Sequence, residues 1–183
     1  MITFKYPVNY IYISQEFSSS HKGLDLGWSS SHGGKNQPVY ATASGKVVQV
    51  VDNDKTGKSW GNLVKIQHDK NLYSLVGHLK DGVIVKVGQE VKQGDLLGYM
   101  GCTGKAYGNH THFEIYDGGA STSYRVDPLP LTYVYPDQLV SDSSKDKVKY
   151  LDSTDYKKLY EEEKAKNTIL QNKIDEAIKV LNG

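Results

Sequence analysis

Two histidines separated by a single residue, His110 and His112, lie in Tyr107-Gly108-Asn109-His110-Thr111-His112-Phe113-Glu114-Ile115, a run that otherwise reads as a strand. On a strand, side chains two apart point to one face with Cα atoms about 6.5–7 Å apart, so both imidazoles could serve one site. A surface strand carrying two solvated histidines is the competing reading. Two further groups add weight to a site: His21-Lys22-Gly23-Leu24-Asp25, and His78 in Tyr73-Ser74-Leu75-Val76-Gly77-His78-Leu79. His21 and Asp25 are four apart, but Gly23 and the serines before His21 argue against a helix and for a loop entering a strand. Four extended residues span about 13 Å, so Gly23 is expected to bend the chain and bring the two groups together. Their alternative use is a hydrogen-bonded pair bracing that loop.

Two histidines and one aspartate, with a fourth position open to water, form a catalytic rather than a structural zinc arrangement. Such a site carries a charge of about +1, lowers the pKa of bound water towards 7 and polarises an amide carbonyl, which suits peptide bond hydrolysis. The nucleophile also needs groups to orient it and to stabilise the oxyanion; His78 and one of the 110/112 pair are available. Cys102 is the only cysteine, so a disulfide within the chain and a cysteine-rich zinc cluster are excluded. Any zinc must be held by nitrogen and oxygen, and Cys102 reads as a small core residue.

The elements that must position these groups read as β. Tyr6 to Phe17 alternates with the period of a strand and ends at Ser18-Ser19-Ser20, and Gly27 to Gln37 is a polar loop. Val39–Ala41 and Lys46–Val51 follow as short strands joined through Ala43-Ser44-Gly45, then Leu63–His68 as a half-buried strand with His68 at its solvated end. Leu72 to Leu79 delivers His78 at its terminus. From Gly82 to Gly101, glycines between short apolar runs mark tight corners of a small barrel or sandwich; their spacing matches neither a dinucleotide fingerprint nor a P-loop. Pro128 and Pro130 close a folded body of residues 1–135, and 136–150 reads as a linker of serines and mixed charges. Residues 151–183 then predict an amphipathic helix, with Asp152 as N-cap, a Leu151–Tyr156 staple, and a stripe of Tyr156, Tyr160, Leu170, Ile174, Ala177 and Leu181 broken by Glu163 and Asn167. Such a helix either packs on its own β domain or self-associates as a weak coiled coil. The expected fold class is therefore all-β, mainly antiparallel, with an appended C-terminal α-helix.

The 183 residues are 38% hydrophobic, enough for one core plus an appendage, and 22 basic against 21 acidic residues leave a formal charge of +1. No whole-chain electrostatic argument points to nucleic acid or an anionic membrane, and residues 141–183, with nine lysines and nine acids, are no basic arm. No run approaches the roughly 18 apolar residues of a membrane span, and Met1 to Val8 lacks the pattern of a signal peptide.

The order His21-x-x-x-Asp25, Gly77-His78-Leu79, Gly101-x-Thr103-Gly104 and Gly108-x-His110-x-His112-Phe113-Glu114 resembles the lysostaphin-type zinc metallopeptidases that cut peptidoglycan peptides. Pro38-Val39-Tyr40-Ala41 and Gly88-Gln89-Glu90-Val91-Lys92-Gln93-Gly94-Asp95 resemble that family too, and the similarity covers roughly residues 8–131. The resemblance implies a β-rich groove in which His21, Asp25 and His112 bind one Zn²⁺. It implies that His78 and His110, free of the metal, position and activate water or stabilise the tetrahedral intermediate. The implied partner is a peptide of bacterial peptidoglycan, cut at a stem-peptide crosslink or bridge. Asn109, Thr111 and Cys102 depart from residues usual in the family, which bears on substrate preference and removes no ligand. No inhibitory segment precedes His21, so the enzyme is expected to be active as synthesised. A wall-cutting enzyme without a signal peptide resembles phage products made in the cytoplasm, either a lysin reaching the wall through a membrane lesion or a component of a virion tail. Three alternatives compete: a non-catalytic, wall-binding member of the same fold, a lipoyl-like carrier domain, and a structural assembly protein built around its helix. A carrier needs an exposed lysine on a tight hairpin, and no lysine here is flanked in that manner.

Overall fold

The computed structural model describes residues 2–151 and eight scattered positions between 158 and 176. The cap Asp152 and the apolar stripe of the predicted helix lie outside the described residues. The chain divides into units Met1–Lys149 and Tyr150–Gly183, and the first carries every candidate residue.

Fourteen strands build that unit: β1 (Phe4–Lys5), β2 (Tyr10–Ile11), β3 (Ile13–Gln15), β4 (Leu24–Leu26), β5 (Pro38–Tyr40), β6 (Gly45–Val51), β7 (Asn62–Asp69), β8 (Leu72–Leu79), β9 (Glu90–Val91), β10 (Leu96–Tyr99), β11 (Thr111–Asp117), β12 (Arg125–Val126), β13 (Thr132–Val134) and β14 (Leu139–Val140). The main sheet runs β3-β4-β11-β8-β7-β6-β9 with β12 beside β11, and every pairing in it is antiparallel. The short pairs β1/β13 and β2/β14 are parallel. The mainly β architecture read from the sequence stands. The glycine corners hold as well, with Gly88 and Gly94 at φ 89° and 88° in the turns flanking β9.

One face of the sheet buries Leu24, Leu26, Val47, Val64, Ile66, Val76, Phe113 and Ile115 against the N-terminal segment of Phe4, Tyr6, Val8, Ile11 and Ile13. The other face carries a smaller layer of Leu63, Leu75 and Tyr116, flanked by Val51, Trp60 and Tyr73. Strand β7 is thus buried on both faces from Asn62 to Ile66, where its alternation predicts a half-buried strand. Lys65 belongs to this covered face: its Nζ donates to Ala120 O (2.6 Å) and lies 3.6 Å from the centre of the Tyr116 ring. A lysine reads as solvent-facing in a sequence, but a long stem with its ammonium on a carbonyl and an aromatic face can be covered.

Three expectations need correction. Residues 136–149 are no linker, because β14 pairs with β2, Gln138 Nε2 donates to Tyr6 O (2.9 Å) and Val8 O (2.7 Å), and the buried Ser144 Oγ accepts Ile13 N–H (3.0 Å). These polar side chains satisfy backbone groups that the short N-terminal strands leave unpaired, a use that composition cannot distinguish from solvation. His68 is no solvated terminus: its Nδ1 meets Ser44 O (2.9 Å), its Nε2 meets Ser74 Oγ (2.7 Å), and Phe4 packs edge-on to its ring. Cys102 is exposed rather than in the core.

Thr111 Oγ1 is buried without a hydrogen-bond partner among the described residues. Thr111→Val should therefore raise stability by about 1 kcal/mol in urea unfolding, since it removes an unsatisfied hydroxyl at constant shape. Ser144→Ala should lower stability by about 1–3 kcal/mol, because the Ile13 N–H is left unpaired in the interior.

Candidate metal centre and catalytic cleft

The register of β4 against β11 sets Asp25 directly opposite His112, and opposed residues of an antiparallel pair share a face. His21 arrives from the preceding loop, where Ser18 N–H donates to His21 O (2.7 Å) and the His21 Nδ1–H donates to Glu16 O (2.9 Å). That leaves Nε2 of His21 facing Asp25 Oδ1 at 3.1 Å, while Nδ1 of His112 lies 2.7 Å from the same oxygen. Gly23 serves this approach in an unexpected way. Its φ is not in the left-handed region; instead a Cβ there would stand 2.7 Å from His112 Cε1 and from Phe113 O, so any side chain would push the loop off β11.

His110 precedes β11, with Nδ1–H on Gly108 O (2.9 Å) and Nε2 3.6 Å from Asp25 Oδ1. His78 comes from β8, with its ring centre 4.6 Å from that of His110 and 5.8 Å from that of His112. Its backbone sits at φ 60°, a region costly for a residue with a side chain, at a register irregularity between β7 and β8. Two bonds hold it there: His78 N–H donates to Trp60 O (2.7 Å) and its Nδ1–H donates to Thr103 O (2.7 Å). A carbonyl only accepts, so His78 Nδ1 carries the proton and its Nε2 holds a lone pair. Thr103 is itself clamped, its Oγ1 donating to Leu79 O (2.7 Å) and accepting Asn62 N–H (2.9 Å). Gly104 at φ 70° lets this loop lie against Gly61, whose nitrogen would be 2.2 Å from a Cβ.

All five residues selected from the sequence thus converge. The ligand atoms of His21, Asp25 and His112 lie within 4.8 Å of one another, and this nitrogen–oxygen set fits a divalent ion with bonds of about 2.0–2.2 Å. Above them opens a cavity of about 390 Å³ lined by Lys22, Trp60, Lys105, Tyr107 and Arg125 among others. Beside it lies a depression of about 340 Å³ bounded by Tyr12, Trp28 and Asn109, and Asp25 and His110 line both. Together the two hollows flank the candidate centre on an open surface. Sequence reasoning assigned no role to Glu114, Trp60 or Arg125. Glu114 did leave a signal, being an acid at the third position of the series 110, 112, 114 on one strand face; Trp60 and Arg125 left none.

Residues 19–128 match peptidase family M23. The chain belongs to that family. It is 34% identical over 119 residues to ShyB of Vibrio cholerae, a peptidoglycan DD-endopeptidase, across 61% of this chain and 27% of ShyB. It is 36% identical over 109 residues to NlpD of Escherichia coli, a murein hydrolase activator, across 60% of this chain and 25% of NlpD. A zinc-containing peptidase from Vibrio cholerae superposes with a TM-score of 0.57 at 30% identity, over 68% of this chain and 39% of that one. The chain spans about a quarter of the length of these two curated relatives.

The electrostatics of the M23 site divide its histidines. Burial pushes His78 down to about 4, against the opposing hydrogen bond to Thr103 O, so its ring stays neutral near pH 7. Burial acts on His112 in the same direction, but hydrogen bonds to Asp25 and Glu114, with their negative charges, carry it up to about 9. Asp25 is held below its ordinary value although burial works to raise it, because the His112 hydrogen bond and the surrounding histidines favour the carboxylate. The two carboxylates thus favour the protonated ring of His112, the opposite of the neutral ring of His78.

The signs give a pH profile for the chelator-treated protein. His112 binds its proton more tightly folded than unfolded, so its contribution is complete below pH 6.5 and is lost as pH rises through about 9. His78 binds its proton less tightly folded, so stability falls as pH drops from 6.5 towards 4, and the depressed Asp25 adds to the loss on the acid side. Urea midpoints should peak near pH 6.5, and saturating zinc, by displacing the His112 proton, should abolish the alkaline decline.

Proposed function

We propose that this chain is a zinc-dependent endopeptidase that hydrolyses peptide bonds in bacterial peptidoglycan, at stem-peptide crosslinks or bridges. The observation that carries this reading is the meeting of His21, Asp25 and His112 at one point, with His78 and His110 beside them, within an open cleft. The substrate class is supported by the likeness to ShyB, and the metal by the likeness to a zinc-containing peptidase.

His21, Asp25 and His112 would hold the ion, which supplies Lewis acidity towards water and the scissile carbonyl. The chain's own residues do the rest. His78, neutral and with its Nε2 lone pair free of the Thr103 bond, takes the proton of the attacking water. His110, with its Nδ1–H anchored on Gly108 O, offers its Nε2 lone pair to orient the water, and the proton collected by His78 passes on to the departing amine. The exposed walls of the two hollows bind an extended peptide on either side of the cut bond, with basic Lys22, Lys105 and Arg125 on one side and the aromatic Tyr12 and Trp28 on the other.

The likeness to NlpD favours a second reading, activation of a partner hydrolase without catalysis. An activator has no need for the five groups to meet, and here they do.

Purified peptidoglycan incubated with the protein should release new amino groups, a chelator should stop the release, and one equivalent of zinc should restore it. His110→Ala should keep zinc and lose about 10²–10⁴-fold in turnover, whereas His112→Ala should lose both. Equal metal loss in the two variants would overturn the division of roles. Stimulation of a partner hydrolase that survives His110→Ala, with no amine release by the wild type, would establish the activator instead.

A further inference from the structure

Behind the three candidate ligands lies a carboxylate that the reaction itself does not use. Glu114 is completely buried, on the β11 face that carries His110 and His112. Its Oε1 accepts His112 Nε2–H (3.0 Å), Trp60 Nε1–H (3.0 Å) and an Arg125 guanidinium N–H (3.2 Å), and its Oε2 accepts the Tyr116 hydroxyl. The four donors come from three places in the fold. His112 and Tyr116 lie on the same strand, Trp60 precedes β7, and Arg125 is brought alongside by β12, which pairs Arg125 with Tyr116. Lys65, over the Tyr116 ring, adds a second cation to the surroundings.

An anion in an interior layer of Leu63, Leu75 and Tyr116 is costly to desolvate, and an apolar residue would suit that layer better. Four donors offset the cost and, more to the point, leave the carboxylate a single orientation. The two candidate histidine ligands are backed differently: His21 by a neutral loop carbonyl, Glu16 O, and His112 by this fixed charge. A histidine whose distal N–H is held by a carboxylate is locked in tautomer and ring angle and is a more basic donor.

We propose that Glu114 is the positioning residue of the metal centre: clamped by Trp60, Arg125 and Tyr116, its carboxylate holds the His112 Nε2–H and so presents the Nδ1 lone pair to the ion. The inference rests on the metal-binding reading above. It makes His112 the anchoring ligand and His21 the adaptable one, since the latter hangs on a loop and on a neutral acceptor.

The test uses zinc affinity and the ring nitrogens, not turnover. Glu114→Gln keeps size and an acceptor oxygen but removes the charge, and its zinc affinity, measured by competition with a chromophoric chelator, should fall roughly 10–100-fold while the metal-free variant melts as a folded protein. Nitrogen-15 NMR of the zinc-loaded wild type should show His112 bound through Nδ1, with a slowly exchanging proton on Nε2. In E114Q that proton should move upfield and exchange faster, with the His21 ring unchanged. An affinity within about twofold of wild type overturns the inference. So does a wild-type His112 bound through Nε2 or lacking the protected proton, an observation that stands even if the variant does not fold. A wild type that takes up no zinc strikes the metal-centre reading itself, and this inference with it; zinc uptake by the wild type with E114Q unchanged strikes this inference alone.

Discussion

Asp25 meets His112 because β4 and β11 pair in one register and no other, and the interior enforces that register. Leu24 and Leu26 flank Asp25 and face the core, as Phe113 and Ile115 follow His112 on the core side of β11. A slip of one residue would turn each of these side chains to the opposite face, burying the aspartate and exposing the leucines. The hydrophobic pattern that builds the sheet is therefore what holds a carboxylate and an imidazole at 2.7 Å. Packing and chemistry draw on the same alternation, with Thr111, Phe113 and Ile115 inward and His110, His112 and Glu114 on the other face.

Around this fixed pair the remaining groups are placed by less regular means. His78 stands at a positive φ within a strand, held by Trp60 O and Thr103 O, a local strain that the neighbouring bonds over-determine. Its neutrality follows from burial, while the ring of His112, a few ångströms away and equally buried, is drawn to the charged form by two carboxylates. Neighbouring imidazoles in one cleft thus acquire different protonation through what lies behind them, which is the condition for giving them different work. Gly23 and Gly104 contribute by absence: each lacks a side chain where another strand or loop must come into contact.

The outer face of the sheet gains its importance from the same site. Leu63, Leu75, Trp60 and Tyr116 make a small apolar layer in which Lys65, Arg125 and Glu114 are embedded, and every one of those charges has a partner there. Such a layer stiffens β7, β8 and β11 from behind, so that the strands carrying His78 and His112 are packed on both sides. The stretch from 136 to 149 does similar service at the other end of the fold, where Gln138 and Ser144 close the backbone bonds of the N-terminal strands.

From the amino-acid sequence alone the β architecture, the five candidate residues and the family resemblance were legible, because strand alternation, glycine corners and closely spaced histidines are local patterns and the motifs keep their order along the chain. Local patterns say nothing about what a side chain meets across the fold. That is why Gly23 read as a bend rather than a point of contact, His68 as a solvated end rather than a half-buried bridge to Ser44 and Ser74, Cys102 as core, and residues 136–149 as a tether. Only the tertiary structure decided that Asp25 faces His112, that His78 is neutral while His112 is charged in the ion-free protein, and that Glu114 lies behind the site with Trp60, Tyr116 and Arg125. Each of these depends on groups from separate strands meeting where water is excluded, and both the distance and the dielectric at that meeting are properties of the folded chain.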